Sequence, residues 1–281
     1  MRRFLLCTDL DRTLIPNGPN PPWPSAKELF RKLVARKEIC LAYVTGRHRA
    51  LIEDAISDFE LPCPDFALAD VGASIHEVSA LGWRPWRAWE EHIAPDWRGL
   101  NSEGLKKLLH GIPELQLQER EKQAPFKLSY YFDLNADSDA LTDMIRRRLR
   151  HEGIRANLIT SVDELADIGL LDVLPQSAGK LSAIRFLMKR HNFSLQDTVF
   201  AGDSGNDLDV LLSEIPAVLV ANADPEIRLQ STKAAPEALY IAKGGYLGMN
   251  GNYSAGILEG VAHFWPEADA WLREFEQQKD E

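Results

Sequence analysis

The sequence predicts an α/β protein with a doubly wound parallel sheet, into which a smaller α+β unit is inserted. Two observations support this prediction. Short apolar runs that end in glycine or acidic residues alternate with helical patterns, and this alternation is typical of a parallel sheet. The alternation stops near residue 81 and resumes near residue 179, so we expect one sheet domain to be interrupted by a second unit.

The first half of the chain supplies the first strands. The predicted elements, in order, are a strand at 3–8, a proline-rich loop at 17–25, a helix at 25–37, a strand at 39–44, a helix to about 57 and a strand at 66–69. The resumed alternation comprises a helix at 179–189, a strand at 198–202, a helix from 206, a strand at 217–220 and a helix near 225.

The middle block has a different rhythm. Residues 81–100 hold four of the seven tryptophans, and residues 126–133 alternate apolar with polar side chains, which predicts a strand with one dry and one polar face. We therefore assign residues 1–80 and 174–281 to a Rossmann-like core and residues 81–173 to an inserted α+β cap that acts as a lid. The tryptophans are interpreted as packing under this cap, with stacking on a ligand as the alternative.

Acidic residues follow two of the predicted strands. Asp9 and Asp11 end the first strand, and Asp203 and Asp207 follow the strand at 198–202. Ligands gather at the carboxyl edge of such sheets, so the two pairs should meet there. Converging carboxylates repel unless a cation neutralises them, and a site of carboxylates and water suits Mg²⁺. The alternative, that each Asp only caps a helix, does not explain two alternating acids after each strand.

These residue types suit phosphoryl transfer. Asp9 can act as the nucleophile, and Asp11 can protonate the leaving group and then activate water. Thr45 and the backbone N–H of Gly46, at the end of the second strand, offer an anion cradle. Lys180 follows Gly179 at the start of a helix and supplies the positive charge that an acidic pocket otherwise lacks.

Four segments in this order, DLDRT, VTGR, GK and GDSGND, resemble the haloacid dehalogenase-like superfamily of phosphatases. The resemblance implies Mg²⁺ held by Asp9, Asp11, Asp203 and Asp207, with Asn206 joining the phosphate-binding residues. An acid at position 11 implies phosphatase or phosphomutase chemistry rather than dehalogenation. An insertion between the second and third motifs is similar to the α/β-capped, C2-type branch, which acts mainly on sugar phosphates.

A closer resemblance is to sucrose-phosphate phosphatases, through PFKLSYYFD, LLDVLPQSAGKLSAIRFL, GDSGNDLDVL and GNYSAGILEGVAHF. It implies a disaccharide phosphate such as sucrose 6-phosphate, with mannosyl- or glucosyl-conjugate phosphates as alternatives. The segment TSVD at residues 160–163 departs from the family's Ser-Gly turn, which leaves the sugar open. Candidate substrate-binding residues are Arg47 and, on the polar cap face, Lys127, Ser129 and Tyr131; a solvated sheet face is the alternative for the cap residues.

Composition and charge indicate which partners and cellular environments to expect. The net charge of −10 repels nucleic acid and anionic lipid, so we expect neither as a partner. No apolar stretch approaches the ~20 residues of a membrane span. The three cysteines lack metal-ligand spacing and suit free thiols in a reducing cytoplasm. Two alternative functions remain. One is a sugar phosphomutase, and the other is a non-catalytic sugar-phosphate-binding module that partners a glycosyltransferase. Loss of the nucleophilic residue would indicate the binding module.

Overall fold

The computed structural model describes residues 2–163, 166–234 and 236–277. The strands, in chain order, are β1 Phe4–Thr8, β2 Ile39–Val44, β3 Phe66–Ala69, β4 Ser74–Ser79, β5 Gly82–Pro85, β6 Gln116–Leu117, β7 Leu128–Phe132, β8 Ala156–Asp163, β9 Ile168–Pro175, β10 Thr198–Gly202, β11 Ala217–Leu219 and β12 Leu239–Ile241. The α-helices are α1 Ala26–Val34, α2 Arg49–Asp58, α3 Arg87–Ile93, α4 Ser102–Leu109, α5 Ser138–His151, α6 Lys180–His191, α7 Leu208–Leu211, α8 Pro225–Ala234, α9 Ser254–Phe264 and α10 Pro266–Gln277.

The large sheet has the order β12-β11-β10-β1-β2-β3-β4-β5. Its first six strands in that order pair in parallel, because helical crossovers connect them, whereas β4 and β5 form an antiparallel hairpin at one edge. Helices α1, α9 and α10 pack together, and α6 and α7 pack together as a second group. The predicted parallel α/β sheet is confirmed, and the hairpin is an addition that the sequence pattern did not predict.

The fully buried residues of β1 and β2 place the core of the molecule under the centre of this sheet. Both strands are buried along their whole length, as their continuous apolar sequences require in a sheet covered on two faces. None of the helices in the described ranges has the length and hydropathy needed to cross a membrane.

A second sheet, with the order β6-β7-β9-β8, is antiparallel throughout. Leu128, Tyr130 and Phe132 bury one face of β7 against α4 and α5 in a separate hydrophobic cluster. The predicted dry face is therefore present. On the opposite face, Lys127 and Ser129 are also buried. The alternative interpretation, a solvated sheet face, therefore does not hold for this part of the polar face.

The predicted start of the cap at residue 81 falls in the turn of the β4–β5 hairpin, which belongs to the large sheet. Trp86 stacks on Phe66 of β3, with ring centroids 5.8 Å apart, and Trp89 and Ile93 belong to the core cluster of the large sheet. The tryptophan-rich composition thus reflects packing at the edge of the core. Of the four tryptophans in residues 81–100, Trp97 alone belongs to the hydrophobic cluster of the second sheet. We therefore propose that the inserted unit starts after Ile93 and ends with β9; residues 164–165 lie outside the described residues.

Candidate active site

The parallel pairing of β1 with β10 brings the two acidic motifs together. The Asp9 backbone N–H donates to the Ala201 carbonyl oxygen at 2.9 Å, so both strands end side by side. Asp9, Asp203 and Asp207 are buried, and one oxygen of each lies within 4.8 Å of the others. The expected convergence of carboxylates from the two ends of the chain is therefore present in the structure.

Lys180, the first residue of α6, lies among these carboxylates and is 1% exposed. Its ammonium nitrogen is 3.1 Å from Asp9 Oδ2 and 2.6 Å from Asp207 Oδ1, and it donates to Asn206 Oδ1 at 2.8 Å. One ammonium faces three carboxylates, so the cluster keeps an excess of negative charge when all three are ionised. The predicted basic residue is at the site, and Asn206 accompanies it.

The carboxylates show the electrostatic stress that such crowding creates. Burial raises the pKa of Asp9 to about 8; Lys180 opposes that rise, whereas Asp207 and Asp203 add to it. Burial and the charge of Asp207 raise the pKa of Asp203 to about 7. Burial alone would lower the pKa of Lys180, but Asp207 and Asp9 outweigh it and raise the pKa above its ordinary value.

These residues fit a hard divalent cation. Asp203 Oδ2 is buried and has no hydrogen-bond partner within the described part of the chain, although Arg12 Nε lies 3.4 Å from it. Thr13 donates to the other oxygen, Asp203 Oδ1, at 3.0 Å and so orients the carboxylate. A cation held by oxygen atoms of this cluster would favour the ionised acids, and carboxylate donors suit Mg²⁺.

Asp11 is held apart from the three clustered carboxylates. Arg47 grips it with two hydrogen bonds, of 2.8 Å from Nε to Oδ2 and 2.7 Å from Nη2 to Oδ1, and Asn17 donates to Oδ1 at 2.8 Å. Burial opposes ionisation of Asp11, but Arg47 and Asn17 outweigh it and lower its pKa. The structure therefore does not bring the Asp11 side chain into the group of candidate metal ligands, where the sequence placed it. Arg47, which the sequence analysis proposed as a substrate-binding residue, is hydrogen-bonded to Asp11 in the structure.

The expected phosphate cradle lies at the end of β2, which is the neighbour of β1 in the sheet. Thr45 is buried, and its Oγ1 accepts from the Arg47 backbone N–H at 3.2 Å. Gly46 has open space where a Cβ would stand, with Val71 as its nearest neighbour at 4.0 Å. The loop therefore has space beside Gly46 and stands next to Asp9 at the same sheet edge.

The three cap candidates have different surroundings. Lys127 Nζ lies 3.7 Å from Asp172 Oδ1, and Ser129 Oγ donates to the same oxygen at 2.5 Å. The Tyr131 hydroxyl instead accepts from Lys122 at 2.6 Å and donates to the exposed Glu119 at 2.8 Å. Lys127 and Ser129 therefore share a buried polar cluster, while Tyr131 belongs to a surface network.

Three polar residues of the site were not singled out from the sequence. Thr13 orients Asp203, and its position at the end of the DLDRT segment was a usable signal. Asp172 interrupts the apolar run LLDVLP, where a single acid in a buried strand also indicates a specific partner. Asp70 follows β3 and had no signal beyond its place at a strand end.

Comparison with known proteins adds a family to this geometry. The family model described as sucrose-6F-phosphate phosphohydrolase matches residues 2–265. A Nitrosococcus oceani protein, described as a HAD-like hydrolase, is 51% identical over 275 residues, which cover 96% of this chain and 74% of that protein. Mannosylfructose-phosphate phosphatase of Agrobacterium fabrum is 29% identical over 227 residues, covering 79% of this chain and 85% of that one. The chain spans about three-fifths of the length of the plant sucrose-phosphatases it matches.

Among solved structures, the sucrose-phosphatase of Synechocystis in complex with sucrose and phosphate superposes with a TM-score of 0.74 at 27% identity. The superposition covers 94% of this chain and 98% of that one. The similarity therefore extends over both the large sheet and the inserted unit.

Proposed function

The chain belongs to the sucrose-6F-phosphate phosphohydrolase family of HAD-like phosphatases, and from this premise we propose that it is a Mg²⁺-dependent sugar-phosphate phosphatase that works through an aspartyl-phosphate. The proposed substrate is a disaccharide phosphate such as sucrose 6-phosphate. One observation carries the proposal: Asp9, Asp203 and Asp207 converge around Lys180 at the ends of two parallel strands. Phosphoryl transfer needs this combination of a positioned nucleophile and balanced charge.

Each residue has a chemical role in this proposal. A carboxylate oxygen of Asp9 attacks phosphorus, the bond from phosphorus to the sugar oxygen breaks, and Asp11 gives its proton to the leaving oxygen. Asp11 then takes a proton from water, whose oxygen attacks phosphorus, and Asp9 is released with free phosphate. Thr45 and Gly46 would hold the phosphoryl oxygens during both steps.

Mg²⁺ would be held by Asp9 and Asp203. Asp207 would support them, because it pairs with Lys180 and accepts hydrogen bonds from the backbone N–H groups of residues 203 and 204. When bound, the ion supplies neutralisation of charge on the phosphoryl oxygens. Arg47 has a further role, because an incoming phosphate dianion competes with Asp11 for its guanidinium. Release from Arg47 would remove an interaction that keeps Asp11 ionised, so that Asp11 can take up a proton from solvent before it gives one to the leaving oxygen.

The test is release of inorganic phosphate from a panel of sugar phosphates by the purified protein with Mg²⁺ and with EDTA. We expect turnover only with the metal. The Asp9→Asn variant should lose at least about 10³-fold in kcat, because a neutral amide cannot act as the nucleophile. Asp58→Asn, at the exposed end of α2, is the matched control and should keep full activity. Unchanged turnover in Asp9→Asn, with a native circular dichroism spectrum, contradicts the proposal.

A second candidate substrate is mannosylfructose phosphate, which the similarity to the Agrobacterium fabrum phosphatase favours. The same panel separates it from sucrose 6-phosphate through the ratio of kcat/KM values. Product identification by phosphorus NMR also separates a phosphatase, which yields free phosphate, from a phosphomutase, which yields an isomeric sugar phosphate.

A further inference from the structure

The turn that follows β3, residues Asp70–Gly72, lies where the phosphate cradle meets the start of α6. The Asp70 backbone N–H donates to the Arg47 carbonyl oxygen at 3.0 Å, and the Val71 N–H donates to the Thr45 carbonyl oxygen at 3.0 Å. A Cβ on Gly72 would lie 2.4 Å from the carbonyl oxygen of Gly179, directly before Lys180. The turn is therefore fixed against two parts of the active site.

The backbone of this turn is strained. Its three residues have φ values of +56°, +58° and +84°, and two of them are not glycine. Val71 is β-branched, and such residues rarely adopt the left-handed region. Strain of this kind persists where surrounding structure enforces it, and it concentrates at ligand-binding sites.

The Asp70 side chain is buried without full hydrogen bonding. It is 4% exposed, and its Oδ1 has no hydrogen-bond partner among the residues that the structure describes. Burial raises the pKa of Asp70, and the positive charge of Lys127 and a hydrogen bond from Ser74 act in the opposite direction. A buried carboxylate oxygen without a donor from the chain destabilises the protein, and a hydroxyl group of a bound ligand can supply that donor.

The inserted unit presents the complementary group. Lys127 is 7% exposed and close enough to affect the pKa of Asp70, yet its only ion pair within 4.0 Å in the described chain is with Asp172, at 3.7 Å. Among the described residues no ion pair within 4.0 Å joins Asp70 to Lys127, so the core and the cap each contribute one of two nearby, opposite charges that are not in direct contact. An unpaired carboxylate on the core and an ammonium on the cap can each form a hydrogen bond with the same polyhydroxylated ligand.

We propose that Asp70 accepts a hydrogen bond from a hydroxyl of the sugar portion of the substrate, while Lys127 donates to a second oxygen of the same sugar. Asp70 is then a specificity-determining residue contributed by the core, separate from the groups that handle phosphate. This inference rests on the proposed sugar-phosphatase function. The competing explanation is that Asp70 has only a structural role in its turn.

The first test compares two substrates. Asp70→Asn keeps the shape of the side chain, and Asn tolerates the left-handed region better than most residues. With sucrose 6-phosphate or the best substrate of the panel, kcat/KM should fall about 10- to 100-fold, chiefly through KM. With p-nitrophenyl phosphate, which has no sugar hydroxyls, kcat/KM should stay within about 2-fold. Asp65→Asn, at the other end of β3, is the matched control and should change neither value.

The second test measures thermal unfolding of the same variants without substrate. Asp70→Asn removes an unsatisfied buried charge, so its Tm should rise by about 2–4 °C while sugar-phosphate turnover falls. A structural carboxylate would give the opposite shift in Tm.

The outcomes separate the two proposals. Equal losses on both substrates, no loss on the sugar phosphate, or a lower Tm would overturn the Asp70 subsite and leave the phosphatase intact. Turnover of the aryl phosphate with none of the sugar phosphates by the unaltered protein would contradict the proposed function and the subsite with it.

Discussion

The carboxyl edge of the large sheet and the junction between core and cap are two polar regions that differ in how their charges are paired. At the sheet edge Asp9 and Asp207 share the ammonium of Lys180. At the junction no ion pair joins Asp70 to Lys127 among the described residues, although the charge of Lys127 acts on Asp70. We therefore propose that the edge is assembled before substrate arrives, whereas the ligand completes the hydrogen bonding at the junction.

The largest expected effect comes from removing the shared cation at the edge. Lys180→Met leaves buried carboxylates without their partner, so we expect a loss of about 3–5 kcal/mol in the free energy of unfolding at pH 8 in EDTA. Activity should fall at least about 10²-fold. Urea denaturation and phosphate release measure the two effects, and Lys189→Met, on the same helix, is the control. A stability equal to that of the unaltered protein would show that Lys180 does not balance this cluster.

A second effect should appear in the pH dependence of stability. The folded-state pKa values of Asp9 and Asp203 are about 8 and about 7, above the ordinary 3.8. At a pH between 3.8 and these raised values, the folded protein therefore binds more protons than the unfolded chain. Their contribution is therefore fully present below pH 4 and is lost as the pH rises toward 8. Lys180 does not titrate in this window, since its pKa is raised from 10.5.

Mg²⁺ binds the ionised acids and should reverse that loss. The increase in Tm on adding saturating Mg²⁺ should be small at pH 5 and reach about 5–10 °C at pH 8. Differential scanning fluorimetry with Mg²⁺ and with EDTA measures the difference. A gain that is independent of pH would place the ion elsewhere.

Arg47 should give an intermediate effect. Arg47→Lys cannot form the two parallel hydrogen bonds to Asp11, so we expect kcat/KM for a sugar phosphate to fall about 10- to 50-fold without a change in fold. Steady-state kinetics beside the Arg49→Lys control test this expectation. Equal activity of the Lys variant would show that a single positive charge suffices.

The smallest effects belong to the cap face. Ser129→Ala removes a buried donor to Asp172 and should lower kcat/KM about 3- to 10-fold. Tyr131→Phe should change it by less than about 2-fold, because the hydroxyl is engaged with Glu119 and Lys122. A larger loss for Tyr131→Phe than for Ser129→Ala would reverse our ranking of these two candidates.

The difference between the two regions also explains what could be predicted from the sequence. Asp9, Thr45 and Asp203 each follow a buried parallel strand, and neighbouring strands necessarily end at one edge. Their convergence thus depends on local pattern and a general rule of sheet topology. The parallel sheet and the positions of five of its six parallel strands followed from the same pattern, whereas β12 was not predicted.

The junction depends on packing between segments far apart in the chain. The same limit applies at the sheet edge, where Arg47 binds the Asp11 carboxylate, because sequence spacing alone cannot rank an arginine against a metal as the partner of that acid. Trp86 and Trp89 were grouped with the cap by composition, whereas their ring contacts place them on the core. Likewise, Lys127 and Tyr131 occupy the same face of β7 by periodicity, but only the folded chain shows their different partners.

The most direct test of the central claim is an anomalous difference map from a crystal soaked in Mn²⁺ as a substitute for Mg²⁺. We expect one peak at the edge of the large sheet, within about 2.2 Å of oxygen atoms from both Asp9 and Asp203. A map without a peak between these two carboxylates, at a concentration of Mn²⁺ that supports turnover, would contradict a shared cation.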